Sequence, residues 1–164
     1  MVIIKSDNIW NTWSNYQKSD LIHNFVVGYA DRNAKRIDYG TGEFYTPVEV
    51  HILEKIYLHP GVTVTEIAHM TGRTKSAISQ IVSKLESKDL ITKTVQEAHG
   101  KKQSLQVTAN GKNLSESHIK YDDEHTEEFF GRIKEYYTPE EIDAFFRVME
   151  TLSYMLNPYQ NKKR

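Results

Sequence analysis

The side chains best suited to do chemistry lie between Thr74 and Ser87. Ile78, Ile81, Val82 and Leu85 recur at helical spacing and mark an apolar stripe. The opposite face then shows Lys75, Ser76, Ser79, Gln80, Ser83 and Ser87. Lysine and serine bind phosphates. Serine and glutamine reach base edges, with glutamine favouring adenine and lysine favouring guanine. A merely solvated helix face usually carries more glutamate than this one, which has none before Glu86. Thr74 and Lys84 complete the set of residues expected to face a nucleic-acid groove.

The elements around this stretch would have to hold it at a defined angle. A short helix is expected from Val64 to Met70, a turn at Thr71-Gly72-Arg73, and a second helix from Thr74 to Lys88. Ala68 permits a close helix crossing. Gly72 supplies the left-handed backbone that a tight turn needs. Ile67, Ile78 and Ile81 fill the shared core. This spacing is the helix-turn-helix pattern; an ordinary αα-hairpin is the plainer alternative. The period then shifts from 3.6 toward 2: Ile91, Lys93 and Val95 alternate with threonines, and Leu105 and Val107 alternate after a polar, Gly-containing loop. A helix-turn-helix followed by a basic hairpin is a winged helix.

The flanks read as helices. One long segment is expected from about Ile9 to Ile37, with Trp10, Trp13 and Tyr16 as an aromatic stripe, ended by Gly40-Thr-Gly42. A helix from Pro47 to about Leu58 turns Val50, Leu53, Ile56 and Tyr57 inward. Helical patterning resumes at Ala109, with Leu114, Tyr121, Phe129 and Ile133. The last helix runs from Pro139 to about Leu156. Thr46-Pro-Val-Glu49, Thr63-Val-Thr-Glu66 and Thr138-Pro-Glu-Glu141 are capping boxes that place three helix starts. The expected fold is mainly α with a small β-hairpin wing: a winged helix-turn-helix lobe joined to a helical dimerisation region.

Composition narrows the function further. The chain has 164 residues, about one domain by length, and a net charge of −1. Residues 61–112 carry +4 and the remainder −5, so a basic middle sits on an acidic frame. There is no cysteine, which excludes disulfides, thiolate metal sites and cysteine nucleophiles. No serine-hydrolase elbow, phosphate-binding Gly-Lys-Ser/Thr loop or His-Glu-x-x-His motif is present, so no enzyme is expected. The start shows no secretory pattern and no apolar run approaches the ~20 residues that span a bilayer, so a cytoplasmic location and no membrane partner are expected.

At residue level, Gly72-Arg-Thr-Lys-Ser-Ala-Ile-Ser-Gln-Ile-Val-Ser-Lys-Leu-Glu-Ser-Lys-Asp-Leu-Ile91 resembles the recognition helix of MarR-type transcriptional regulators. Leu105-Gln-Val-Thr-Ala-Asn-Gly111 is similar to that family's Leu-x-Leu-Thr-x-x-Gly ending after the wing. The resemblance implies three segments: residues 1–40 and 111–164 as helical dimerisation segments, and 41–110 as the winged lobe. It implies a homodimeric repressor on a pseudo-palindromic duplex operator, released by a small aromatic or anionic effector, with no cofactor. Trp10, Trp13, Tyr16 and Tyr45 are the candidate lining of an effector pocket; dimer core is the plainer use of such aromatics. The family's wing-tip Asp and Arg are replaced here by His99 and Lys101, and Lys102 adds a second cation. Gln80 stands where many members carry Arg, so base preference does not carry over.

His118 and Asp122 share a helical face at i, i+4, and His125 follows one turn later. This spacing suits zinc or another divalent ion and would make a metal-responsive regulator of the same fold. It suits solvated or interface residues equally well, and the set does not close a ligand shell, so no bound metal is expected. A winged-helix protein-interaction module is the remaining alternative.

Overall fold

The computed structural model describes residues 8–96 and 102–159. Helices α1 (Ile9–Thr12) and α2 (Asn15–Asn33) come first, then a two-residue ribbon of β1 (Ile37–Asp38) and β2 (Phe44–Tyr45). Helices α3 (Pro47–Leu58), α4 (Val64–Thr71) and α5 (Lys75–Ser87) follow. Strands β3 (Ile91–Gln96) and β4 (Lys102–Val107) form an antiparallel hairpin, and α6 (Ala109–Ile133) and α7 (Pro139–Leu156) close the chain.

The single long first helix is corrected in two places. It breaks at Trp13-Ser14, where Ser14 starts a new helix. Ser14 Oγ accepts the Gln17 N–H at 3.2 Å, and Gln17 Oε1 accepts the Ser14 N–H at 2.9 Å. This reciprocal pair is a capping box with glutamine in the third helical position. The helix also ends at Asn33, and Ile37 pairs with Tyr45 in the ribbon instead. The ribbon's loop is tied by Asp38, whose Oδ1 accepts the N–H groups of Gly40, Thr41 and Gly42 at 2.9–3.1 Å.

The core is built by α3, α4, α5 and the hairpin. Val50, Ile52, Leu53, Ile56, Ile67, Ala68, Ile78, Val82, Leu85, Ile91, Leu105 and Leu114 are all nearly inaccessible to solvent. Ile52 joins the inward set of α3, and Tyr57 is only half-buried. All three expected capping boxes form, at Thr46/Glu49, Thr63/Glu66 and Thr138/Glu141. Gly72 closes α4 with φ 66°. Val62 adds a third, single-residue rung: Leu105 N–H donates to Val62 O and Gly61 N–H donates to Leu105 O, each at 2.9 Å.

The start of α6 is fixed to the end of α5. Thr108 Oγ1 donates to Asp89 O at 2.7 Å, Thr108 N–H donates to Leu90 O at 3.0 Å, and Asn110 Nδ2 donates to Asp89 Oδ2 at 3.1 Å. A Cβ on Gly111 would lie 1.9 Å from Leu90 O, so no other residue fits there. The Thr-Ala-Asn-Gly sequence after the wing is therefore a joint between lobe and frame.

The frame is open. Every residue of α2 from Ser19 to Asp31 is exposed, including Leu21, Ile22, Phe25, Val26 and Tyr29. On α7, Phe145, Phe146, Met149, Leu152 and Leu156 are exposed and no residue is buried. No helix among the described residues is long and apolar enough to cross a membrane.

Candidate nucleic-acid interface

Thr74 caps α5, its hydroxyl accepting the Ala77 N–H at 3.2 Å. The cap and the buried Ile78, Val82 and Leu85, with half-buried Ile81, set the rotation of the helix. Lys75, Ser76, Ser79, Gln80 and Ser83 then stand exposed on its outer side. Arg73, which by sequence pattern is only a turn residue, is exposed directly before the cap and adds a cation. Among the described residues, neither Lys75 nor Arg73 makes an ion pair, so both charges are available to phosphate.

Three other lobe lysines are engaged. Lys84 pairs with Glu49, a nearly buried carboxylate at the start of α3. Burial raises the Glu49 pKa, but the Lys84 hydrogen bond and the Thr46 N–H outweigh it and hold the group below its ordinary value. Lys88 lies 4.1 Å over the Tyr45 ring and 3.1 Å from Glu43. Lys93 pairs with Glu86, the one acidic residue of α5. Lys84 thus ties α5 to α3 while remaining half exposed. His99 and Lys101 lie outside the described residues, as does the side chain of Lys102.

The aromatic candidates do not gather. Tyr45 is in the lobe core, its hydroxyl 2.8 Å from Glu43. Burial, then that hydrogen bond, pushes its pKa up to about 12. Trp10 and Tyr16 are almost fully exposed, and Lys18 stands 4.5 Å over the Trp10 ring. Trp13 is half-buried. No two of these four rings touch among the described residues.

Asn157 and Tyr159, just after α7, reach back to the helix-turn-helix. Asn157 Nδ2 donates to His69 O at 3.1 Å, Tyr159 OH donates to Arg73 O at 3.0 Å, and the Tyr159 ring stacks on His69.

A second group of polar side chains lies between α3 and α6. His118 is fully buried, with Nε2 3.2 Å from Asp122 Oδ2 and Nδ1 3.6 Å from Glu54 Oε2. His51 Nδ1 is 3.6 Å from the same Glu54 oxygen. Burial pushes the His118 pKa below its ordinary value, against the pull of Asp122. His125 is not part of this group: it stacks on Tyr121 at 3.8 Å, and its Nδ1 lies 2.8 Å from Tyr121 O. The i, i+4 pair His118 and Asp122 was visible in the sequence. His51 and Glu54 were not, because they lie on a different helix.

Residues 45–102 match the MarR family. That segment therefore resembles the winged helix-turn-helix of this family. Over 121 residues it is 29% identical to the uncharacterized HTH-type transcriptional regulator YhjH of Bacillus subtilis (strain 168), covering 72% of this chain and 69% of that protein. Its fold is similar to S. aureus MepR in a complex with DNA, with TM-score 0.57, 24% identity, and coverage of 68% of this chain and 80% of MepR. A MarR/EmrR family transcriptional regulator from Acinetobacter sp. ADP1 is similar at TM-score 0.66, 19% identity, and coverage of 84% and 93%. The MarR family comprises transcription regulators, not enzymes.

Proposed function

We propose that the chain is a homodimeric transcriptional repressor that reads a pseudo-palindromic operator through α5. The observation that carries this is the outer face of α5: exposed Lys75, Ser76, Ser79, Gln80 and Ser83, with no carboxylate among them. That face matches a DNA major groove in both hydrogen-bonding character and charge. The DNA complex of MepR supports the same use of the fold. Residues 41–110 form the reading lobe. The segments 1–40 and 111–164 form the dimer frame, because the apolar rows of α2 and α7 stay largely exposed in one chain. Lys101 and Lys102, with His99, contact phosphates at the wing. A small aromatic or anionic effector acts between lobe and frame, and the protein works in the cytoplasm.

Selection from random duplexes tests this. An inverted repeat is expected, with half-site centres about 10 bp apart or a multiple of that. Gln80→Ala should then cost ~1–3 kcal/mol on the selected site and less on scrambled DNA at one fixed salt concentration. Absence of any enriched sequence would remove this reading.

A further inference from the structure

The turn between α4 and α5 is held from outside the lobe. Asn157, the first residue after α7, donates from Nδ2 to His69 O at 3.1 Å. His69 lies in the last turn of α4, where carbonyls lack partners within the helix. Tyr159 OH donates to Arg73 O at 3.0 Å, just before the Thr74 cap that starts α5. The Tyr159 ring stacks on His69 with centroids 4.4 Å apart and planes 15° from parallel. Pro158, between the two donors, covers the bare side of Gly72. A Cβ there would lie 3.4 Å from Pro158 Cδ and 3.5 Å from Asn157 Cγ. The segment also braces itself, since Asn157 Oδ1 accepts the Tyr159 N–H at 3.0 Å.

We propose that Asn157 and Tyr159 are positioning residues for the reading helix. They hold the turn on both sides of Gly72 and so fix how the start of α5 enters the groove. The buried stripe of α5 begins only at Ile78. It sets the rotation of the helix, while the placement of Arg73, Lys75 and Ser76 depends on the turn before it. Within the lobe that turn is closed by the Gly72 and Arg73 N–H groups, which share Ala68 O as acceptor. Both outside bonds go to backbone carbonyls, so they constrain the turn and leave Lys75, Ser76, Ser79 and Gln80 exposed. This role rests on the DNA-reading proposal above. Loss of the contact lowers the fraction of chains whose α5 start is in the reading position, and the apparent Kd rises in inverse proportion. Base contacts need that position, whereas attraction to phosphates tolerates a tilt. The loss therefore falls mainly on the operator.

The test uses the full chain, a selected operator duplex and a scrambled duplex at one salt concentration. Tyr159→Phe removes the hydroxyl donor and keeps the ring. Asn157→Ala removes the donor to His69 O. Each should weaken operator binding about 2–10-fold, the range set by one net hydrogen bond, and weaken scrambled DNA less. Tyr159→Ala, which also removes the stack, should weaken it more than Tyr159→Phe. Amide hydrogen exchange on the DNA-free protein reads the turn directly. In Tyr159→Ala the Gly72 and Arg73 N–H groups should exchange faster, while Leu105 N–H, bonded to Val62 O, should not change. Unchanged exchange at Gly72 and Arg73 overturns the contact. Faster exchange with equal losses on both duplexes overturns the positioning role, and so does tighter operator binding by Tyr159→Ala. Faster exchange in the variant, with no operator binding by the wild-type chain under any condition, overturns the functional reading and leaves the contact standing.

Discussion

The lobe and the frame are built from similar helices but end in opposite states. In the lobe, α3, α4 and α5 bury their apolar faces on one another and on the hairpin. In the frame, the apolar rows of α2 and α7 stay largely exposed, with Phe146 meeting Phe130 of α6. The difference shows where the folding unit ends. A helix gains little from propensity alone and is stabilised mainly by packing of its apolar face. The lobe supplies that packing within one chain, whereas the frame leaves its apolar rows open to the second copy proposed above.

The largest expected effect sets Leu53 against Phe145. Leu53 is fully buried, and Leu53→Ala should destabilise the lobe by about 2–5 kcal/mol at any protein concentration. Phe145 is half exposed, and Phe145→Ala should leave a dilute chain unaffected and weaken only the proposed dimer. Thermal melts across a concentration series check this. A concentration-independent loss for Phe145→Ala would mean that the frame closes on itself.

Two glycines of α6 sharpen the contrast within a single helix. Gly111→Ala would drive a methyl into Leu90 O, 1.9 Å away, and should cost about 1–3 kcal/mol in chemical denaturation. A methyl at Gly131 would meet nothing within 4 Å, and Gly131→Ala should gain about 0.5–1 kcal/mol from helix propensity. A loss at Gly131 would place a partner's backbone against that turn.

Acid provides the third comparison. Glu49 titrates below its unfolded value, so its contribution is fully present above about pH 4.3 and is lost as pH falls through the folded value. Glu49→Gln should therefore flatten stability against pH below that point, as read by circular dichroism in an acid titration. The smallest effect is expected at Arg147, whose pair with Asp143 on α7 is solvent-exposed. Arg147→Gln should shift Tm by less than a melt resolves, because such pairs are screened and entropically costly.

Much of the lobe was legible because its signals are local. A capping box spans four residues, and Thr46, Thr63 and Thr138 each announced a helix. The stripe through Ile78, Val82 and Leu85 fixed which face of α5 points outward. The break before α2 was harder to see, since its capping partner is Gln17 and the box lies inside an aromatic run. The β1–β2 ribbon has two residues per strand, too few to show a period. Lys84 looked like any other cation of the outer face, and its commitment to Glu49 depends on the packing of α5 against α3. The histidine group has the same origin. His118 and Asp122 share one helix, while His51 and Glu54 come from a segment more than sixty residues earlier in the chain.

The joint at Asp89, Leu90, Thr108, Asn110 and Gly111 makes a lever of α6. Its 25 residues span about 37 Å, and only the first turns are clamped to the lobe. A tilt of about 5° at the clamped end displaces the far end, near Ile133, by about 3 Å over that length. The relation also runs in reverse. In the dimer proposed above, small shifts where two frames meet would swing each α5 as a rigid arm, so the spacing between the two α5 helices would depend on how the far ends of α6 are held.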